Sequence, residues 1–116
     1  MAAADFTATF DALRDLMLQA APDQLLAKDE PGDLVLHSHR SDPKTGKPVW
    51  FGAVTLRKGY VAYHLFPLYS DPAIGADLSA ELKRRQQGKS CFNFKAIDQS
   101  LFDELADLTR RANGID

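Results

Sequence analysis

One cysteine and one histidine are the side chains of this sequence best suited to nucleophilic chemistry. Cys91 lies in GKSCFNFK and His64 lies in VAYHLF, and both segments have the composition of β-strands. On neighbouring strands, the thiol and the imidazole could act as a nucleophile and its general base. The sequence offers no strand-to-helix elbow and no oxyanion feature to accompany them, and a free cysteine usually packs as a small apolar residue. We therefore predict a binding or accessory protein with no catalytic residue, and keep a Cys91-based enzyme as the alternative.

Histidines and aspartates provide only weak candidates for a metal site. His37 and His39 are two residues apart, so on a strand they would share a face and could chelate an ion together with a third ligand. Two histidines do not complete the closed ligand set of a specific zinc site, and a solvent-facing strand end is the simpler explanation. Asp11 and Asp15 lie four residues apart on a predicted helix. We predict no bound cofactor and no specific metal site.

Gly88-Lys89-Ser90 has the composition that ends a phosphate-binding P-loop. A P-loop requires another glycine five positions before its Gly-Lys-Ser, where this sequence has Lys83, and it requires a strand before the loop and a helix after it. Here a helical pattern precedes Gly88 and a strand pattern follows it, so a P-loop is not predicted. Gly88 is instead expected just past a helix C-terminus, in the left-handed backbone conformation that glycine adopts at little cost.

Overall charge and composition exclude several classes of partner. Fourteen Lys and Arg against sixteen Asp and Glu give a net charge of −2, which predicts no general attraction to nucleic acid or to an anionic membrane. The acidic residues near the start of the last predicted helix are explained by the helix dipole. The basic run at 83–85, with Lys89 and Lys95, lacks stacking aromatics on the same helix. We therefore predict that the acidic cluster does not hold a cation and that the basic cluster does not bind nucleic acid.

Length and the N-terminal sequence predict one cytoplasmic domain. The 116 residues suit a single domain, 1–116, and one cysteine cannot form an internal disulfide. The opening MAAADFTATF has neither a basic nor an apolar region of a signal peptide. No apolar run approaches the roughly 18 residues that a membrane-spanning helix needs.

Hydrophobic periodicity predicts the elements that position these residues. Helices are expected over DFTATFDALRDLMLQAA, over SAELKRRQQ with Ser79 as N-cap, and over QSLFDELADLTRRA with Asp98 as N-cap, ending at Asn113-Gly114. Four strands are expected, one in DLVLHSHR, two in VWFGAVTLRKGYVAYHLFPLY around a Lys58-Gly59 hairpin turn, and one in SCFNFKA. The order α-β-β-β-α-β-α predicts a two-layer α+β domain with a mainly antiparallel sheet of about four strands and the helices on one face.

The same segments resemble a known family. FGAVTLRKGYVAYHLFPLY and ELKRRQQGKSCFNFKAIDQSLFDELADLTRR, within roughly residues 33–112, are similar to the YdhG-like domain family of small bacterial proteins, most of which have no assigned function. Some relatives are described as frataxin-like iron-binding proteins, so the resemblance implies a compact α/β fold and, as an alternative function, iron delivery. Iron binding of that kind uses a dense acidic ridge on the first helix and the adjoining strand, whereas the first helix of this sequence has only Asp5, Asp11 and Asp15, interrupted by Arg14.

Alternation along the strands predicts which side chains share the uncovered face of the sheet. Phe92 and Phe94 are expected in the core, as are Val54, Leu56, Val61, Tyr63 and Leu65 of the hairpin. Phe51, Arg57, Ala62 and Phe66 are expected on the other face. The residues predicted to bind a ligand there are Thr55, Tyr60, His64, Cys91, Asn93 and Lys95. The simpler interpretation of that face is a solvated sheet surface, partly covered by the loops or by another subunit, and the chain could be a monomer or a homodimer. Phe66 and Tyr69 could line a pocket or pack the hairpin against the following helix.

Overall fold

The computed structural model describes residues 6–115, except for the side chains of Ser70, Pro72 and Ile115. The helices are α1 (Thr7–Ala20), α2 (Pro67–Ser70), α3 (Ala80–Arg85) and α4 (Gln99–Ile115), with a 3-10 turn at Pro72–Gly75. The strands are β1 (Leu25–Glu30), β2 (Asp33–Ser41), β3 (Pro48–Leu56), β4 (Val61–Leu65), β5 (Gln86–Gln87) and β6 (Cys91–Phe94). Within these residues no helix is both long enough and apolar enough to cross a bilayer.

The six strands form one antiparallel sheet in the order β1-β2-β3-β4-β6-β5. Helices α1 and α4 pack together against one face, which we call the covered face, and the opposite side is the open face. The predicted two-layer α+β fold is confirmed. The sheet has six strands rather than about four, because β1 is exposed at every position and β5 has only two residues. Neither strand therefore carries a clear alternating pattern.

The core lies between the covered face and the two long helices. The stripe of α1 (Phe10, Leu13, Met17 and Ala20) is buried as predicted, and so is the α4 stripe of Leu101, Phe102, Leu105 and Leu108. Phe92 and Phe94 are buried, which confirms the predicted orientation of β6. Two predicted N-caps are also confirmed: Ser79 Oγ accepts a hydrogen bond from the Leu82 amide, and Asp98 Oδ1 accepts one from the Leu101 amide, both at 3.2 Å.

A β-bulge reverses one part of the predicted strand pattern. Leu36 pairs with Gly52 and His37 pairs with Trp50, so β3 carries Phe51 as an extra residue. Phe51 is completely buried, so its predicted place on the open face is wrong. Trp50 instead packs against His37 and remains 47% exposed. The bulge therefore exchanges the two aromatic rings between the faces.

Three smaller predictions are also corrected. Gly88 has the predicted positive φ, +70°, but it lies in the turn between β5 and β6 rather than at the end of α3. Helix α4 does not end at Asn113-Gly114 but continues to Ile115. Leu56 is 38% exposed rather than buried, because it ends β3 next to the Arg57–Tyr60 turn. None of these changes moves a residue of the predicted ligand set.

Candidate functional site

The open face brings the predicted site residues together through strand register. One cross-strand row consists of Asp33, Thr55, Ala62 and Asn93. The next row consists of Val35, Ala53, His64 and Cys91. Val35, Ala53 and Ala62 are small or aliphatic and almost fully buried. No large side chain therefore projects from these positions in the middle of the open face. Larger side chains around them form the walls of two hollows.

The larger hollow, which we call the aromatic groove, has a volume of about 600 Å³. Its floor includes Val35 and Ala53, its polar residues include Thr55, and its charged residues are Lys28, Asp33 and Arg57. Its walls carry the rings of His37, Trp50, His64 and Phe66. Phe66 therefore lines a pocket, whereas Tyr69 is 65% exposed and lies outside it.

The four rings of the aromatic groove form a continuous chain of contacts. The centroids of His37 and Trp50 are 5.7 Å apart, and Trp50 meets Phe66 edge to face at 5.6 Å. Phe66 in turn stacks on His64 at 5.8 Å with an interplanar angle of 11°. These distances are in the range of favourable aromatic pairs. The rings hold one another in place while Trp50 keeps nearly half of its surface accessible.

The charges in the groove do not balance. Lys28 Nζ forms an ion pair with Asp33 Oδ2 at 2.7 Å. Among the described residues, no carboxylate lies within ion-pair distance of Arg57. The groove therefore carries one uncompensated positive charge, supplied by a planar guanidinium with several hydrogen-bond donors.

Cys91 and His64 are indeed neighbours, as their predicted strands allowed. Cys91 Sγ lies 3.7 Å from His64 Nε2, and the thiol donates to Asn93 Oδ1 at 3.4 Å. Burial raises the pKa of the Cys91 thiol, and Arg57 offsets only part of that rise. Burial also lowers the pKa of His64, and the positive charge of Arg57 lowers it further. The pair is therefore a neutral thiol beside a neutral imidazole near pH 7, which differs from the thiolate of a reactive cysteine.

The smaller hollow, which we call the basic hollow, has a volume of about 210 Å³ on the side of β5 and β6. It is lined by Tyr60, Arg84, Arg85, Gln87, Asn93 and Lys95. The six predicted ligand residues are thus divided: Thr55 and His64 line the aromatic groove, and Tyr60, Asn93 and Lys95 line the basic hollow. Cys91 is half-buried between them and contacts both His64 and Asn93.

Several lining residues were not predicted from the sequence. Trp50 was hidden by the bulge at Phe51, and Lys28 belongs to a strand that was not predicted. Arg84 and Arg85 belong to the basic run at 83–85, for which the sequence predicted no nucleic-acid binding. A signal for Trp50 did exist, since a lone tryptophan within an otherwise well-patterned strand is costly to leave in water.

The weak metal candidates are engaged in other contacts. His37 packs on Trp50, while the Nε2 of His39 bonds to the main-chain carbonyl of Asp23. Asp15 lies 3.4 Å from Arg14, and Asp11 acts on the same guanidinium through its charge.

Within residues 6–115, no three side chains of the types that bind metals come together. Asp5, the remaining acidic residue of the first helical segment, lies outside the described residues. Comparison of the chain with protein-family models, with curated proteins and with solved structures finds no match. The geometry of the open face is therefore the basis on which a function is proposed.

Proposed function

We propose that this protein binds a small anionic molecule with a planar apolar part in the aromatic groove, and acts as a binding or accessory protein. The observation that carries the proposal is a wall of four contacting rings beside Arg57, a guanidinium without a carboxylate partner among the described residues. An apolar wall and a single uncompensated charge are complementary to a ligand that combines a ring with a carboxylate or phosphate.

The rings supply the affinity for a planar group. Trp50 is 47% exposed although it belongs to a strand with fully buried neighbours, so a ligand ring that covers it removes apolar surface from water. Aromatic pairs contribute about 0.5–1.5 kcal/mol beyond the area they bury. Because His37, Phe66 and His64 already fix the wall, little side-chain freedom remains to be lost when the ligand binds.

Arg57 supplies the preference for an anion. Lys28 is already compensated by Asp33, so the net positive charge of the groove resides on Arg57. A guanidinium binds carboxylate or phosphate through two parallel hydrogen bonds, which orients the ligand as well as attracting it. Thr55 also lines the groove and adds a hydroxyl that can donate or accept a hydrogen bond.

A depression between α1 and α4 is a weaker candidate for the ligand-binding site. It has a volume of about 400 Å³ and is lined by small and apolar residues and by the polar side chains of Asp15, Gln19, Gln99, Asp103 and Arg110. Gln99 already donates to Asp103 at 2.8 Å, and the only aromatic ring in its lining is Phe102, which is buried in the core. That surface is explained by the polar sides of two packed helices.

The test uses Trp50, which is the only tryptophan of the chain and so gives a single indole N–H signal in an NMR spectrum. Titration with naphthalene-2-carboxylate should shift this signal and the amides of β3 and β4 in a saturable way. The uncharged 2-naphthalenemethanol should bind about ten-fold more weakly, which corresponds to the ~1.4 kcal/mol expected for a charge-assisted hydrogen bond.

Matched variants separate charge from fold. Arg57→Gln should abolish the preference for the carboxylate, whereas Lys58→Gln, which removes the neighbouring charge outside the groove, should leave it intact. Absence of any shift with either probe up to millimolar concentration would overturn the proposal. A concentration-dependent dimer that buries Trp50 would also overturn it, because the groove would then be an interface between subunits.

A further inference from the structure

The basic hollow continues the aromatic groove on the same face of the sheet. Thr55 of the groove is in register with Ala62, which is in register with Asn93 of the hollow. Two strand spacings separate Thr55 from Asn93, a distance of about 10 Å. Ala62, the residue between them, has too small a side chain to form a wall.

Arg57 stands at the junction of the two hollows. Arg57 lines the aromatic groove, and its charge acts on both His64 and Cys91, while its amide donates to the carbonyl of Tyr60, which lines the basic hollow, at 2.8 Å. A ligand with its ring against His64 and Phe66 would therefore meet Arg57 first and then the hollow beyond it. The positions of these groups define a path from an apolar wall to a positive one.

The basic hollow has the donors that a phosphate requires. Arg84 is paired with Glu81, but in the part of the chain that the structure describes no carboxylate lies within ion-pair distance of Arg85 or Lys95. Asn93 Oδ1 accepts from Cys91, so the Nδ2 hydrogens of Asn93 remain available to a ligand. Together with Arg57, the path carries three uncompensated positive charges, more than a single carboxylate would neutralise.

We infer that the basic hollow is a phosphate subsite and that the ligand of the open face is a phosphorylated planar compound of the nucleoside diphosphate class. The inference rests on the proposed function, because it places the ring of the ligand in the aromatic groove. The ring contacts His64 and Phe66 at the end of the aromatic groove nearer to the hollow, the first phosphate pairs with Arg57, and the terminal phosphate is bound by Arg85 and Lys95. These contacts are made by side chains and differ from the main-chain cradle of a P-loop.

A small molecule fits these charges better than a polynucleotide does. Single-stranded nucleic acid is bound along an extended positive path on which successive bases stack. Here Asp33 lies at the groove and Glu81 lies beside the hollow, and the chain as a whole has a charge of −2. The positive region is therefore confined to the length of one short ligand.

The experiment compares ADP, adenosine and pyrophosphate by calorimetry and by the indole signal of Trp50. ADP should bind at least about ten-fold more tightly than adenosine, and the advantage should fall as salt is added. The double variant Arg85→Gln/Lys95→Gln should lose that advantage while binding adenosine as before. The control Lys58→Gln/Lys89→Gln removes the same charge outside both hollows and should retain it.

The outcomes distinguish failure of this inference from failure of the proposed function. If naphthalene-2-carboxylate shifts the indole signal but ADP binds no more tightly than adenosine, the phosphate subsite is overturned and the aromatic groove stands. If pyrophosphate binds as tightly as ADP, the ring adds nothing to the affinity, and the inference that one ligand occupies both the aromatic groove and the basic hollow is overturned. Tighter binding of a short oligothymidylate than of ADP would overturn the small-ligand assignment. If none of these probes moves the indole signal, the proposed function fails as well.

Discussion

The covered and open faces of the sheet share one alternation of side chains but are filled in opposite ways. On the covered face, Leu34, Val54, Tyr63 and Phe92 are completely buried by helices that supply matching apolar stripes. On the open face the central residues are small, and the large rings stand at the sides with Trp50 accessible. The groove is therefore deep because the central residues of the open face have small side chains, whereas the packing that stabilises the fold lies on the covered face.

The largest difference between the faces should appear when an aromatic ring is removed from each. Phe94 is 2% exposed and meets Phe102 edge to face at 5.1 Å, so Phe94→Ala should lower the free energy of unfolding by about 3–5 kcal/mol. Trp50→Ala removes a larger but half-exposed ring and should cost much less. Urea unfolding of both variants measures the contrast. A greater loss for Trp50→Ala would mean that the open face also stabilises the fold.

A smaller loss is expected where α1 approaches the sheet most closely. A Cβ added at Gly52 would lie 2.6 Å from Met17 Cε and 3.0 Å from the carbonyl oxygen of His64. Gly52→Ala should therefore destabilise the protein by about 1–3 kcal/mol through overpacking. Gly59→Ala is the control, because nothing lies within 4 Å of the added Cβ in that turn. Equal melting temperatures for the two variants would show that α1 can move away from β3 at little cost.

The sequence predicted the covered face far better than the open one, for a physical reason. Burial of Phe92, Phe94 and the helix stripes depends on periodicity, which sequence displays directly. The open face depends on register between strands that are distant in sequence, and a single bulge at Phe51 was enough to exchange it with Trp50. Division of the predicted ligand residues between two hollows likewise follows from three-dimensional positions that periodicity does not encode.

On the covered face, Tyr63 and Thr109 form a buried polar pair, and its loss should lower the free energy of unfolding by an intermediate amount. The Thr109 hydroxyl donates to the Leu105 carbonyl at 2.8 Å, so in the 2.6 Å bond with Tyr63 the tyrosine hydroxyl is the donor. Tyr63→Phe should cost about 1 kcal/mol, the usual net value of such a bond. Tyr60→Phe, on the half-buried edge of the open face, should cost less. A neutral Tyr63→Phe would imply that another donor reaches Thr109.

On the open face, the rate at which Cys91 is alkylated should depend on pH. Because burial raises the pKa of Cys91, the rate of alkylation by iodoacetamide should rise only above the ordinary thiol pKa of about 8.5. Arg57→Gln should move that inflection still higher, since Arg57 acts to lower the pKa of Cys91. An inflection below neutral pH would favour a Cys91-based enzyme instead.

The stability of the protein in acid should depend on the protonation of His64, on the same face. Its pKa is lowered in the folded state, so folded protein binds fewer protons than unfolded protein between the two pKa values. The contribution of His64 to stability is thus present above the unfolded pKa of about 6.5 and is lost as pH falls through the folded pKa. His64→Gln should remove this part of the pH dependence, which unfolding curves measured across that range would detect.

The smallest effect on stability is expected at Lys95, next to Phe94 in sequence but on the opposite face. Lys95 is exposed, and no carboxylate of the described residues lies within ion-pair distance of it, so Lys95→Ala should change the free energy of unfolding by no more than about 0.5 kcal/mol. The same variant should weaken binding of ADP, because its charge lines the basic hollow. A loss of stability larger than that of Phe94→Ala would mean that the register of β6 is inverted or that Lys95 pairs with a buried carboxylate. Unchanged stability together with weakened ADP binding would instead show that Phe94 stabilises the fold, whereas its neighbour Lys95 contacts the ligand.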